Sequence, residues 1–383
     1  MTRRDAFRSL LAWLAGSGLA RAQRQGLPYA PERLPSLQEL VNVFEFEPVA
    51  RAKLSRPDYD YIAGGADDEW TLERNRQAFD RITLRPSYLV DVSRLDMSLD
   101  LFGQRAGMPI LICPMGGHQR AHPDGELATA RAAGAAKTIL AVSTNSTYAI
   151  DKIAGAATGP LWFQLYAGPD VDGTREKVER AVASGCKAVC WTLDLAHAPQ
   201  RERNLKNGVG LPASPSRRGA LKNPPYRLQP QYLPELTWSY LEELASYAKV
   251  PVLLKGILTA EDARLAVERG AAGVIVSNHG GRALDTVPAS IEVLPEIVEA
   301  VGAKVPVLVD GGFRRGTEIL MALAMGAKAV MVGRPVMWGL GAYGQAGVER
   351  VLELLETELA RAMGHSGRPT LASIDRTLVR IER

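Results

Sequence analysis

The chain has 383 residues, 46% hydrophobic and 23% charged, the make-up of a soluble globular protein with core enough for one large domain or two ordinary ones. Its net charge of +4 sits in the first 26 residues, where Arg3, Arg4, Arg8, Arg21 and Arg24 face Asp5 alone; the rest is neutral, which argues against a nucleic-acid partner, since that would need a basic face. Cys113, Cys186 and Cys190 are too few for a disulfide framework, and none stands at zinc-site spacing from a histidine, so no metal is expected and all three read as small buried apolar residues.

Residues 2–8 are basic, a short apolar run follows, and Ala20-Arg21-Ala22 closes it. Spanning a bilayer takes roughly 20 apolar residues, more than this run supplies. A basic start, a short core and a small-x-small ending are the parts of a secretory signal. Arg3-Arg4 with Phe7 three residues on resemble the twin-arginine signal, which exports folded proteins. The organisation expected is a signal peptide over 1–22, a Pro-rich linker over 23–36 and one domain over 37–383, in a protein that works in the periplasm or outside the cell. An ordinary amphipathic N-terminal helix, with the protein cytoplasmic, is the alternative.

Residues 37–54 have helical spacing. Tyr59-Asp60-Tyr61-Ile62-Ala63-Gly64-Gly65 reads as a helix end and a Gly–Gly break, and Asp67 to Glu69 as the acidic start of the next helix. Short apolar strands then fall at 109–113, 139–143, 161–165, 188–193, 250–254, 273–277, 305–309 and 329–332. Helical stretches alternate with them at 125–136, 146–154, 173–184, 236–248, 260–268, 291–301, 317–324 and 347–362. This alternation predicts an α/β fold, a (β/α)8 TIM barrel with a short helical segment before it. A doubly wound open sheet is the alternative.

A barrel carries its chemistry where the strands end. Those ends bear Pro114-Met115-Gly116-Gly117, Thr144-Asn145, Gln164 and Tyr166, Thr192 and Asp194, Lys255, Ser277 to Arg282, Asp310 to Arg314, and Gly333-Arg334. The connection after the fourth strand, 195–234, is rich in proline and in cations that include Arg201. It has no sustained apolar period, so it reads as a partly mobile active-site lid. His279 and Arg282, a base and a cation three residues apart, suit a substrate with an ionisable proton and a carboxylate. Gly311-Gly312-Phe313-Arg314-Arg315-Gly316 and Gly333-Arg334 suit a phosphate after strands seven and eight. No G-x-G-x-x-G follows the first strand, which disfavours a Rossmann dinucleotide. Lys255 follows an apolar run and is expensive to bury without a partner. It could instead be the Schiff-base lysine of a phosphate-binding barrel lyase or aldolase.

The motifs Ala121-His122-Pro123-Asp124-Gly125-Glu126, Gln164-Leu165-Tyr166, Lys255-Gly256, Ser277-Asn278-His279-Gly280-Gly281-Arg282, Asp310 to Gly316 and Gly333-Arg334-Pro335 resemble the FMN-dependent α-hydroxy acid dehydrogenase/oxidase family. That family includes glycolate oxidase, lactate oxidase, mandelate dehydrogenase and the flavocytochrome lactate dehydrogenases. The resemblance implies FMN as cofactor and oxidation of an L-2-hydroxy acid to the 2-oxo acid. It also implies oxygen, a quinone or a cytochrome as electron acceptor, and a homo-oligomer. It makes His279 the base, Asp194 its partner, and Tyr61, Arg201 and Arg282 the carboxylate site, with Tyr166 on the substrate oxygen. Lys255 would stabilise the negative charge of the reduced flavin, and Ser143, Gln164 and Thr192 would bond the ring edge. Asp310, Arg314, Gly333 and Arg334 would take the ribityl chain and phosphate, with Pro114, Met115, Gly116, Ser277, Gly311 and Gly312 completing the cofactor site. An intact His279, Asp194, Arg282 and Tyr61 set speaks against a non-catalytic flavin-binding scaffold. Three stretches depart from the family pattern: Met115-Gly116-Gly117, Asn145 where glycolate oxidase has Trp, and Leu195-Ala196-His197 where Thr-Pro is usual. Gly116 lacks the methyl that would lean on the flavin. A wider, more polar pocket implies a substrate larger than glycolate.

Overall fold

The computed structural model describes residues 33–168, 170–208 and 236–382. The expected signal peptide, most of the linker and the centre of the expected lid lie outside them.

Eight parallel strands close into a barrel: β1 (Ile110–Ile112), β2 (Leu140–Ser143), β3 (Leu161–Leu165), β4 (Val189–Thr192), β5 (Val252–Ile257), β6 (Gly273–Val276), β7 (Val307–Val309) and β8 (Ala329–Val332), with β8 bonded back to β1. Closure excludes the open doubly wound sheet. The strands are continuous Val, Ile and Leu runs because both faces are buried. Inward residues such as Leu111, Ala141, Trp162, Cys190, Leu253, Ile275, Leu308 and Met331 fill the interior. A hairpin of Leu99–Leu101 and Gln104–Ala106 plugs the N-terminal end, adding Leu99, Leu101 and Ala106 to that cluster. Trp162 Nε1 donates to Gln104 Oε1 at 3.2 Å, tying plug to barrel.

The outer ring is α1 (Gly125–Ala135), α2 (Ile150–Ala156), α3 (Val171–Ala183), α4 (Ser239–Ala248), α5 (Ala260–Glu268), α6 (Ser290–Val301), α7 (Gly316–Ala324) and α8 (Arg334–His365). The last helix is far longer than the 347–362 expected. It is two helices joined at Tyr343 and Gly344, where φ and ψ leave the helical region. Its glycines serve a close crossing: a Cβ on Gly339 would lie 2.6 Å from Gly347 O. β5 runs past its expected end and bulges between Lys255 and Ile257, so Lys255 lies inside the strand. The helix Trp70–Gln77 does not begin at its acidic residues, because Asp67 and Glu69 are left-handed (φ 44 and 62). Its cap comes from elsewhere: Trp70 N and Thr71 N donate to Asp285 at 3.2 and 2.7 Å. A pairing of Ile82–Leu84 with Val379–Ile381 ties the segment before the barrel to the segment after it.

Trp162 is fully buried. Trp162→Ala should cost about 3–5 kcal/mol through the cavity it leaves, and Gln104 would lose its donor. The expected result is a clear fall in the urea midpoint of the purified protein; an unchanged midpoint would mean that the plug contributes little.

Candidate active site

β6 ends in a turn of three successive left-handed residues, His279 (φ 58), Gly280 (φ 66) and Gly281 (φ 71). The last needs glycine twice over, since a Cβ there would also sit 2.6 Å from Leu72 N. Ala66 N donates to Gly281 O at 2.9 Å, locking the turn onto the segment that holds Tyr61.

The turn aims the His279 ring into a cavity. Nδ1 lies 2.8 Å from Asp194 Oδ1, and Nε2 lies 3.3 Å from the Tyr166 hydroxyl. Burial is the largest influence on His279 and pushes its pKa below the ordinary value; Asp194 opposes this, while Lys255 and Arg201 add to it. Burial works against the Asp194 carboxylate, yet the facing imidazole and Lys255 hold its pKa below the usual carboxylate value. An ionised Asp194 accepts from Nδ1–H, which leaves the lone pair on Nε2, where the Tyr166 hydroxyl donates to it. A neutral imidazole with a basic nitrogen toward the cavity can accept a proton.

Lys255 is buried and lies 3.1 Å from Asp310 Oδ2, donating also to Ser277 Oγ at 2.7 Å. Burial disfavours its ammonium, but Asp310 and Asp194 more than offset that and raise its pKa above the ordinary lysine value. A Schiff base needs a neutral amine. The lyase reading of Lys255 therefore has no support.

Besides Arg201, three guanidiniums line the same cavity. Arg282 Nη1 donates to Gly64 O at 2.6 Å. Arg334 donates to the backbone oxygens of Ile62, Gly280 and Gly64 at 3.1, 2.9 and 2.9 Å. Arg314 donates to Phe313 O at 2.8 Å and stacks 4.6 Å over the Trp338 ring. Among the described residues no carboxylate forms an ion pair with any of the three. Burial pulls Arg314 down to about 9, Arg334 down to about 10 and Arg282 well below its ordinary value, with neighbouring arginines adding to each shift. Such a cluster calls for an anion. Asp310 Oδ1, also buried, has no partner among the described residues and is an acceptor waiting for a donor.

Of the residues expected from sequence, Tyr61, Tyr166, Arg201, His279 and Arg282 line one cavity with Pro114, Met115, Gly116, Ser143, Lys255, Asp310, Gly311, Gly312, Arg314, Gly333 and Arg334. Four stand behind its wall. Asp194 backs His279, and Ser277 Oγ accepts from both Lys255 Nζ and His279 N (3.0 Å). Gln164 bridges Ser143 Oγ (3.0 Å) and Thr192 Oγ1 (2.9 Å) across three adjacent strands. Arg201 donates through Nε and Nη2 to Arg282 O. The lid segment that carries it forms a short helix, Glu202–Lys206, and residues 209–235 lie outside the described residues. Sequence reasoning missed Cys113, which lines the cavity and donates to Asp310 Oδ2 at 3.6 Å; its place at a strand end was the available signal. It also missed Asn75, whose amide pairs with that of Asn278 at 2.9 and 2.8 Å behind the His279 turn. No local motif marks Asn75.

A family model described as FMN-dependent dehydrogenase matches residues 50–381. The L-lactate oxidase of Nostoc sp. is 45% identical over 369 residues, covering 91% of this chain and all of that protein. Glycolate oxidase 3 of Arabidopsis thaliana is 43% identical over 356 residues, covering 90% of this chain and 97% of the relative. A crystal structure of a mandelate oxidase superposes with a TM-score of 0.82 at 40% identity, covering 90% of this chain and 99% of the other. The chain belongs to the FMN-dependent dehydrogenase family, and is an oxidoreductase with FMN as its cofactor. The residues present fit that group. Its phosphate would answer the guanidiniums that no carboxylate pairs, and its ribityl hydroxyls would answer Asp310 Oδ1.

Because Lys255 is held charged, borohydride added with a 2-oxo acid should leave it unmodified. Intact mass and peptide mapping check this; a reduced adduct on Lys255 would revive the Schiff-base chemistry.

Proposed function

We propose that the protein oxidises an L-2-hydroxy acid to the 2-oxo acid. The supporting observation is the His279 ring, held by Asp194 at Nδ1, with Nε2 facing the cavity that Arg282 and Arg201 also line. The names of the relatives, which act on glycolate, lactate and mandelate, point the same way. Arg282 and Arg201 grip the substrate carboxylate, Arg282 offering a planar fork that lysine lacks. Tyr61 lies with its ring 5.3 Å from the Arg282 guanidinium and closes that side. Tyr166 donates to the substrate oxygen. His279 Nε2 takes the proton, and Asp194 holds the ring's orientation and stabilises the imidazolium. FMN, when bound, would supply the two-electron acceptor, with oxygen, a quinone or a cytochrome as the final acceptor. The Lys255 ammonium, fixed by Asp310 and Ser277, would place positive charge beside FMN held in this cavity, where it would stabilise the negative charge of the reduced flavin. Asn145 and Gly116 in the wall favour a substrate larger than glycolate, and the family resemblance favours a homo-oligomer.

Anaerobic mixing with a panel of 2-hydroxy acids tests the reading: at least one should bleach the yellow protein. His279→Gln should stay yellow and be reduced about 10²–10⁴-fold more slowly, the usual value of a general base. Since His279 acts when neutral and its pKa is depressed, the wild-type reduction rate should climb with pH only below the ordinary histidine value and be flat above it. Wild-type speed in His279→Gln would remove the base from this position.

We also propose export after folding. FMN is made in the cytoplasm, and a chain threaded unfolded across a membrane would arrive without it. Arg3-Arg4 ahead of a short apolar run is the signal that would solve this. Wild type should fractionate as a shortened, yellow periplasmic protein, and Arg3→Lys with Arg4→Lys should stay inside at full length. Full-length wild type confined to the cytosol would refute export.

A further inference from the structure

One wall of the cavity comes from two connections: β1–α1 through Met115 and Gly116, and β2–α2 through Asn145. They are stitched together, since Gly117 N donates to Asn145 O at 3.2 Å. Behind the stitch sits Glu126, the second residue of α1, only 2% exposed. Its Oε1 accepts from His118 N at 3.1 Å and from Thr147 N at 2.8 Å, one donor from each connection. Its Oε2 is buried with no hydrogen-bond partner among the described residues. The first turn of α1 favours negative charge at this place. Glu126 itself does not line the cavity, so its route to the chemistry runs through the two backbones it joins.

We propose that Glu126 is a positioning residue for substrate selectivity. Its carboxylate pins the two connections at a fixed separation, and so sets how far Asn145 and Gly116 stand from the reacting carbon. This rests on reading the cavity as a 2-hydroxy acid site. The wall is stiff from the other side too, because a Cβ on Gly116 would lie 3.0 Å from Asn145 O and 3.1 Å from Asn145 Cβ. Anything that moves one connection moves the other.

Glu126→Asp keeps the charge but is one methylene too short to reach both N–H groups; Glu126→Gln keeps the reach and an acceptor oxygen. KM, kcat and FMN affinity (by fluorescence titration of the apoprotein) are measured for all three proteins, with lactate and mandelate as short and bulky probes. In Glu126→Asp, KM should rise on the order of tenfold as the wall shifts. The ratio of kcat/KM between the two acids should change about fivefold or more, while kcat and FMN affinity stay near wild type. Glu126→Gln should restore the ratio. A folded Glu126→Asp with wild-type KM and ratio overturns the proposal. So does an equal loss of kcat for both acids together with weakened FMN, which is the mark of a merely structural residue. If Glu126→Asp does not fold, Glu126→Ala decides in the same assays: a shifted ratio with FMN affinity retained supports the proposal and an unchanged ratio ends it. Failure of every 2-hydroxy acid to reduce the wild-type protein would instead defeat the functional reading itself.

Discussion

The structure depends on buried positive charge gathered at the C-terminal end of one barrel. Besides Arg201, four cations converge there, and the fold treats them in two ways. Lys255 is neutralised internally, with Asp310 at 3.1 Å and Ser277 at 2.7 Å, so its charge is permanent and its position fixed. Arg282, Arg314 and Arg334 instead spend their donors on backbone oxygens and keep their charge unanswered by carboxylates among the described residues. Taking an unpaired ion out of water costs several kcal/mol. A fold can carry that cost if ligands complete the pairs, and a phosphate and a substrate carboxylate are two such ligands. Replacing the arginines' carbonyl partners by acidic side chains would lower the cost and occupy the charge that the ligands need.

The turn after β6 connects this charge to the base. Ser277 Oγ accepts from Lys255 Nζ and from His279 N, so one hydroxyl fixes both the cation and the start of the turn. His279 then adopts φ 58, a conformation that few side-chain-bearing residues hold without support. The support is external: Ala66 N on Gly281 O, Asn75 against Asn278, and Arg334 on Gly280 O. The N-terminal segment is therefore part of the site, since it supplies Tyr61 and also the clamp that holds the base in place.

The barrel was legible because its strands are short runs of Val, Ile and Leu whose two faces are both covered. The strand-end residues were legible because polar and titratable groups at the close of such runs have few other uses. What escaped is set by distant contacts. Asp285 caps a helix more than two hundred residues earlier, so the acidic residues beside that helix misled. The last helix was expected to start only at Gly347, because the close crossing of Gly339 over Gly347 is a backbone contact that only the folded chain shows. Asn75 sits in a helix with nothing local to distinguish it, and its meaning comes from an amide on a turn it meets in space. Residues that touch ligands are announced by type and position; residues that hold them are announced only by partners.

The cavity has two sides built differently. β5 to β8 and their turns supply Lys255, His279, Arg282, Asp310, Arg314 and Arg334, each held by side-chain or backbone bonds, and there the family motifs run unbroken. The other side is loop: the β1–α1 and β2–α2 connections and the start of the lid, where the departures from the family pattern fall. Gly116 and Asn145 are usefully regarded as one departure. The methyl missing at 116 would not simply project toward the cofactor, because its nearest neighbours are Asn145 O and Cβ, at 3.0 and 3.1 Å. A side chain at 116 would require the β2–α2 connection to retreat, and Glu126 ties that connection to its neighbour through Thr147 N and His118 N. The glycine is thus what lets the two loops approach closely enough to share one carboxylate, and their shared position, more than either side chain alone, gives the pocket its shape.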